Sequence, residues 1–233
     1  MIKLHHKYLL NKINLIIWIV VIVIMTIFEM LIAFSLGNHP LLNITKQMIL
    51  EEYINSSIIF ARMIMVLWSI YLFGFCFYKE GDNYRVLTIT KVSGGNYYLS
   101  KMIAIFLEEA KMLGVIFVIQ FFIGSFFTKW YYLKIDMLIC YGKIYLISLI
   151  YGLLSVVFVS LFKNLYAIII TSVLYLLSEI LIVEEINQNV LTFIQLFFPN
   201  KVSFQASIDI IHLFLLIIFY LVAGYRISRY KKE

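Results

Sequence analysis

The chain has 233 residues, of which 63% are hydrophobic and 17% aromatic, and only 14% are charged. Water-soluble domains are roughly 45–50% apolar and about 25% charged; this composition excludes a chain solvated by water on all sides and implies a polytopic membrane protein. The net charge of +6 fits basic loops facing anionic membrane lipid rather than nucleic acid, since no soluble fold is there to carry a basic patch.

Residues 1–14, MIKLHHKYLLNKIN, read as a basic amphipathic helix lying on the membrane surface, with Leu4, Tyr8, Leu9 and Ile13 on one face. His5 and His6 have no further metal-ligating residue nearby, so no metal site is expected there. The apolar run Leu15–Leu36 is as long as a transmembrane helix, longer than a signal-peptide core, and lacks an A-x-A-like cleavage site, so it is expected to remain as an anchor. Gly37-Asn38-His39-Pro40 ends this first span, and an outer loop is expected up to Asn55.

Ser56–Tyr78 forms the second span and Met102–Phe127 the third, closed by Lys129 and the interfacial aromatics Trp130, Tyr131 and Tyr132. Leu138–Val183 is apolar almost throughout. As a single helix it would be about 70 Å long, against a hydrocarbon core of about 30 Å. It must fold as two spans, with a tight hairpin at Lys163-Asn164, its only polar break. Glu184–Ser207 carries an apolar island, Val190–Phe198, that is too short to cross and reads as an outer re-entrant or interfacial segment. The sixth span is Ile208–Ala223, extendable to Tyr225, followed by a basic tail expected inside. Cys76 and Cys140 fall on opposite membrane faces in this topology, which excludes a disulfide between them.

Basic residues orient the six spans. Twelve lie on one side: Lys3, Lys7, Lys12, Lys79, Arg85, Lys91, Lys101, Lys163, Arg226, Arg229, Lys231 and Lys232. Five lie on the other: Lys46, Lys129, Lys134, Lys143 and Lys201. The richer side is cytoplasmic, so both termini are expected inside, in one all-α domain covering 1–233.

The stretch between the second and third spans, residues 79–101, is the longest polar interval that carries several basic residues. Glu80-Gly81, then Val86-Leu87, then Val92-Ser93, then Lys101 opening the third span, follow the order seen in the corresponding loop of type-2 ATP-binding-cassette (ABC) exporter permeases. The chain resembles that family in this loop and in its layout of six spans. Lys91 stands where the family often has Pro, and Asp82 where it often has Thr. The resemblance implies a cytoplasmic coupling loop, including Glu80, Gly81, Arg85, Leu87, Lys91 and Lys101, gripped by a separate ATPase. It also implies a second permease subunit, identical or homologous, because six spans are half of what the family uses. A helix over Tyr84–Val92 would offer Val86, Leu87 and Ile89 to a groove while Arg85 and Lys91 stay wet. The bland reading of the same stretch is a solvated connector. The chain has no G-x-x-x-x-G-K-[ST] phosphate loop, so no cofactor is expected on it; ATP and Mg belong to the partner.

Ionisable residues inside spans are functional candidates, because an unpaired charge at the bilayer centre costs about 2.5–3.5 kcal/mol or more. Glu29, Arg62 and Glu179 fall in the outer half. Glu29 and Arg62 are expected to pair, either as a packing device or as part of a polar vestibule for an amphipathic or cationic substrate. Glu108, Glu109 and Lys111 fall in the inner half of the third span, with Glu108 and Lys111 spaced to pair on one face. A Glu-Glu pair also suggests the CAAX-type intramembrane proteases, but Leu113 stands at the required Arg, and Ile208 stands where a Phe should precede His212. Glu184-Glu185 fails likewise, with Asn189 at the Arg place. Gly114, Gly124, Gly142, Gly152, Ser148 and Ser155 mark expected close helix contacts.

Three readings follow: a permease subunit exporting a peptide or other amphipathic substrate from a bacterial plasma membrane, an ion-coupled secondary transporter, and a non-transporting immunity or accessory protein. The topology common to them is testable by single-cysteine labelling on a cysteine-free background. A probe at Asp82 should react only after the membrane is breached, and probes at Asn43 and Asn187 should react in intact cells. Labelling of position 82 from outside would overturn the orientation.

Overall fold

The structure, a computed structural model, describes residues 12–37, 46–78, 94–128, 135–162, 164–183, 197–199 and 210–230. These residues hold six helices and no strand: α1 (Lys12–Gly37), α2 (Lys46–Tyr78), α3 (Gly94–Thr128), α4 (Ile135–Phe162), α5 (Tyr166–Val183) and α6 (Ile210–Tyr230). Four stretches are long and apolar enough to cross a membrane: Asn14–Ser35, Glu51–Tyr78, Asp136–Phe162 and Ile210–Ile227. Ten large apolar side chains of α1, among them Ile16, Leu31 and Phe34, stand exposed. A monomeric soluble protein rarely leaves so large an apolar patch bare; this is a membrane-embedded helical protein.

The apolar run Leu138–Val183 is two helices, as its length demands. The break lies at Asn164-Leu165, where Ala167 N–H donates to the Asn164 carbonyl (3.2 Å) and Ile168 N–H to that of Leu165 (3.0 Å). The Asn164 side chain accepts from Tyr166 N–H at 3.4 Å and opens α5.

Three helices run beyond their expected ends. Residues 46–55, expected as an outer loop, are the first turns of α2: they are rich in good helix formers, and Tyr53 and Ile54 are buried. Residues 94–101, assigned to the loop, open α3 because Tyr97, Tyr98 and Lys101 share a buried face. Helix α6 continues past Ala223, where Tyr225 packs on Tyr98 at 5.5 Å. The amphipathic segment up to Asn11, with His5 and His6, lies outside the described residues. So does most of the 184–207 segment. Its residues 197–199 are described: the Phe198 ring lies 6.4 Å from that of Tyr151 on α4, and the Phe197 carbonyl faces the Tyr220 hydroxyl on α6 at 3.5 Å.

Helix α4 sits at the centre, against α2, α3, α5 and α6, and its contact with α2 is the most extensive in the bundle. Small residues make that contact close. A Cβ on Gly152 would overlap the Phe73 ring and Ser69 Oγ, and one on Gly74 would come within 2.5 Å of Ser155 Oγ. The two helices also exchange side-chain hydrogen bonds, Ser69 Oγ to the Ser148 carbonyl (2.6 Å) and Ser155 Oγ to that of Ile70 (3.1 Å). Gly152, Ser148 and Ser155 therefore mark a close contact as expected. Gly114 and Gly142 do not, since a Cβ there meets nothing within 4 Å.

This difference predicts opposite outcomes for one substitution. Gly152→Ala overpacks the α2–α4 contact and should cost about 1–3 kcal/mol, seen as a lower melting temperature of the purified protein. Gly142→Ala should melt like the parent.

Candidate functional site

Polar side chains in the bundle gather at three levels. Toward the end of the bundle where α1 and α2 meet near Gly37 and Lys46, Arg62 Nη2 lies 2.6 Å from Glu179 Oε2, with side-chain exposures of 7% and 17%. Glu29 is fully buried and accepts a 2.6 Å hydrogen bond from Ser57 Oγ. Beside them Tyr53 donates to the Gln120 carbonyl (3.2 Å) and Tyr141 to the Gln120 side-chain oxygen. The expected Glu29–Arg62 pair does not form. Ser57 and Arg62 are five residues apart, so they point about 140° apart around α2. The Ser57 face meets α1 and the Arg62 face meets α5.

Deeper in the bundle, α3 separates three of its four charges. Glu108 and Lys111 pair at 3.1 Å as their spacing predicts, with Lys111 49% exposed. Glu109, one residue on, turns the other way into the junction of α2, α3 and α4. It is fully buried, and neither carboxyl oxygen has a hydrogen-bond partner among the described residues.

At the far end Lys101, expected in the coupling loop where it opens the third span, is 4% exposed. Its ammonium donates to the Cys76 carbonyl at 2.7 Å and lies 4.1 Å from the centre of the Phe77 ring. The last carbonyls of a helix lack intrahelical partners and carry the negative end of its dipole. Lys101 satisfies one of them and so fastens the start of α3 to the end of α2. Tyr98 joins α6 to the same knot, packing edge-on to Phe77 and donating to the Leu221 carbonyl at 3.4 Å. Nearby, Tyr71 donates to the Asn14 side chain at 3.1 Å and ties in α1. None of Asn14, Cys76, Tyr97 or Tyr98 stood out in the sequence; the cluster NYYLSK, two aromatics four and three residues before a lysine on one helical face, was the signal that could have found it. Glu80, Gly81, Arg85, Leu87 and Lys91 lie outside the described residues.

On the bundle's flank an apolar cleft of about 540 Å³ opens between α3, α4 and α6, lined by Phe106, Gly142, Tyr145, Leu149 and Ile217, with Lys143 as its charged residue. The two cysteines are free and buried. Comparison with protein-family models, with characterised proteins and with solved structures finds no match for the chain.

The Arg62–Glu179 contact generates a double-mutant test. Arg62→Ala strands a buried carboxylate and should destabilise the protein by about 3–5 kcal/mol, read as lost folded yield and a lower melting temperature. Glu179→Gln on that background should restore part of the loss, while Glu29→Gln should not. Equal rescue by both would mean that the ion pair plays no part.

Proposed function

We propose that this chain is the membrane-spanning permease subunit of an ABC exporter, with six spans and both termini in the cytoplasm. It acts on a peptide or other amphipathic substrate and pairs with a second permease subunit. A separate ATPase, carrying ATP and Mg, supplies the work. The observation that carries the reading is the Lys101 knot. A lever works only if its base is rigid, and Lys101 ties both ends of the 79–93 connection to each other and, through Tyr98, to α6. A displacement of that connection would be passed to α2, α3 and α6 together rather than absorbed by slack at the helix ends.

Helices α3 and α5 complete the six spans. At 18 residues α5 is about 27 Å long, close to the thickness of the hydrocarbon core. Helix α3 has 35 residues, and the Glu108–Lys111 pair reduces the cost of carrying charge through lipid. The contacts of Phe197 and Phe198 support a re-entrant 184–207 segment: they meet the level of Tyr151, whose hydroxyl lies 3.2 Å from that of Ser178, about 8 Å below the Val183 end of α5. The flank cleft, apolar with one lysine, suits an amphipathic substrate leaving sideways.

Ion-coupled transport is the second reading, favoured by one observation, the buried and unpartnered carboxyl of Glu109 in the middle of the bundle.

Leu87→Asp tests the exporter reading. A charge placed in an apolar groove costs several kcal/mol, on the order of the transfer penalty for an unpaired polar group, whereas helix packing should not change. The variant should reach the membrane at parental levels, fail to retain its ATPase on affinity purification, and fail to export. Arg85→Ala and Lys91→Ala should do less. A Leu87→Asp variant that assembles and exports normally would reduce the 79–93 stretch to a connector.

A further inference from the structure

The polar groups around Glu109 are hydroxyls whose protons are already committed. Ser69 of α2 and Ser148 of α4 face its carboxyl. Ser69 Oγ donates to the Ser148 carbonyl at 2.6 Å, and Ser148 Oγ donates to the Tyr145 carbonyl at 2.8 Å. Tyr145, the titratable group that faces Glu109 from α4, donates to the Phe106 carbonyl at 3.0 Å. Each hydroxyl has a single proton to give. With those protons directed to carbonyls, both carboxyl oxygens of Glu109 are buried without a hydrogen-bond partner among the described residues.

A carboxylate buried there loses its hydration with no hydrogen bond of good geometry in return. A carboxylic acid has one O–H to donate, and any of these oxygens can accept it. The other charges on the helices around this junction do not change the balance. On α3 itself Glu108 and Lys111 satisfy each other at 3.1 Å. On α1, Lys12 lies at one end and Glu29 is held by Ser57; on α6, His212, Arg226 and Arg229 lie toward the two ends. On α2 and α5, Arg62 is engaged with Glu179 at another level, and Lys46, Glu51 and Glu52 lie in the first turns of α2. On α4, Asp136 lies in the first turn and Lys143 lines the flank cleft, while Lys101 of α3 is held at the Cys76 carbonyl.

We propose that Glu109, with Ser69 and Ser148, forms an intramembrane proton-binding site, filled while α3 is closed against α2 and α4 and emptied when that junction opens to water. The carboxyl comes from one helix and its acceptors from two others, so separating α3 breaks the site. The proton is then released from the Glu109 carboxyl to water and taken up again on closure. Both the exporter and the ion-coupled reading accommodate such a site, and neither is needed to test it.

The test is the infrared spectrum of the full chain in phosphatidylcholine vesicles at neutral pH, with no ATPase and no substrate. The parent should show the carbonyl stretch of a protonated carboxyl, lost in Glu109→Gln and kept in Glu29→Gln and Glu179→Gln. A parent without that band, or a band that survives Glu109→Gln, overturns the proposal. A carboxylate signal that responds to replacing choline by sodium in the parent but not in Glu109→Gln also overturns it, in favour of a metal-cation site. Should Glu109→Gln fail to fold, the parent alone decides. A hydrophobic carbodiimide, which reacts with protonated carboxyls, should label Glu109 and spare its ion-paired neighbour Glu108 on peptide mapping. No adduct at Glu109 overturns the proposal.

Discussion

The close contact between α2 and α4 is the constraint to which the other helices conform. In lipid two apolar helices gain little by hiding from their surroundings, so association depends on close van der Waals packing and on hydrogen bonds between helices. Gly152 lets Phe73 lie against the α4 backbone, and Gly74 does the same for Ser155 on the other side. The Ser69 and Ser155 hydroxyls then reach carbonyls across the interface. With that pair in place, α5 lies against both helices, α3 covers the junction between them, and α6 packs along α4. Helix α1 packs mainly on α3 and α2 and leaves most of its apolar surface to the lipid.

A dry, tightly packed centre decides how each charge can be held. Arg62 reaches Glu179 across the α2–α5 contact, so two charges enter as a neutral pair. Lys101 is held by a helix-end carbonyl and an aromatic ring, both of which attract a cation. Glu108 leans on Lys111, whose flexible stem carries its head toward the surface. Glu109 differs from all of these. Its buried carboxyl oxygens have no hydrogen-bond partner among the described residues, and that makes it a functional candidate rather than a packing detail.

Much of the fold was legible from hydropathy and length alone. The positions of the apolar segments, the division of Leu138–Val183 and the Glu108–Lys111 pair follow from periodicity, helix rise and the i, i+3 rule, all of which are local. What was not legible depends on which helices become neighbours. Arg62 has two acidic candidates in the same half of the bundle, Glu29 and Glu179, and only the rotation of α2 about its axis chooses between them. The early start of α3 is another case. Gly94-Gly95 signals a turn by propensity, yet the buried face of Tyr97, Tyr98 and Lys101 draws the helix back over it. Helix α6 likewise runs past Tyr225 into its basic tail, to Tyr230.

The two features of α3 that the sequence analysis read least well are connected through α2. Lys101 and Glu109 are about two turns apart on α3, and the groups they face on α2, Cys76 and Ser69, are also about two turns apart and lie on one stripe of that helix. The antiparallel pair is thus fastened at its end by Lys101 and left unfastened two turns deeper, where Glu109 meets Ser69 without a hydrogen bond. A helix hydrogen-bonded at one end and held further in by packing alone could swing about the bonded point. Under the exporter reading the fastened end is where the ATPase would push, and the loose level is where α3 would part from α2 and α4. Under the ion-coupled reading the same swing would open Glu109 to water. Under either reading Lys101 would set the pivot, and the junction at Glu109 would be the level that opens.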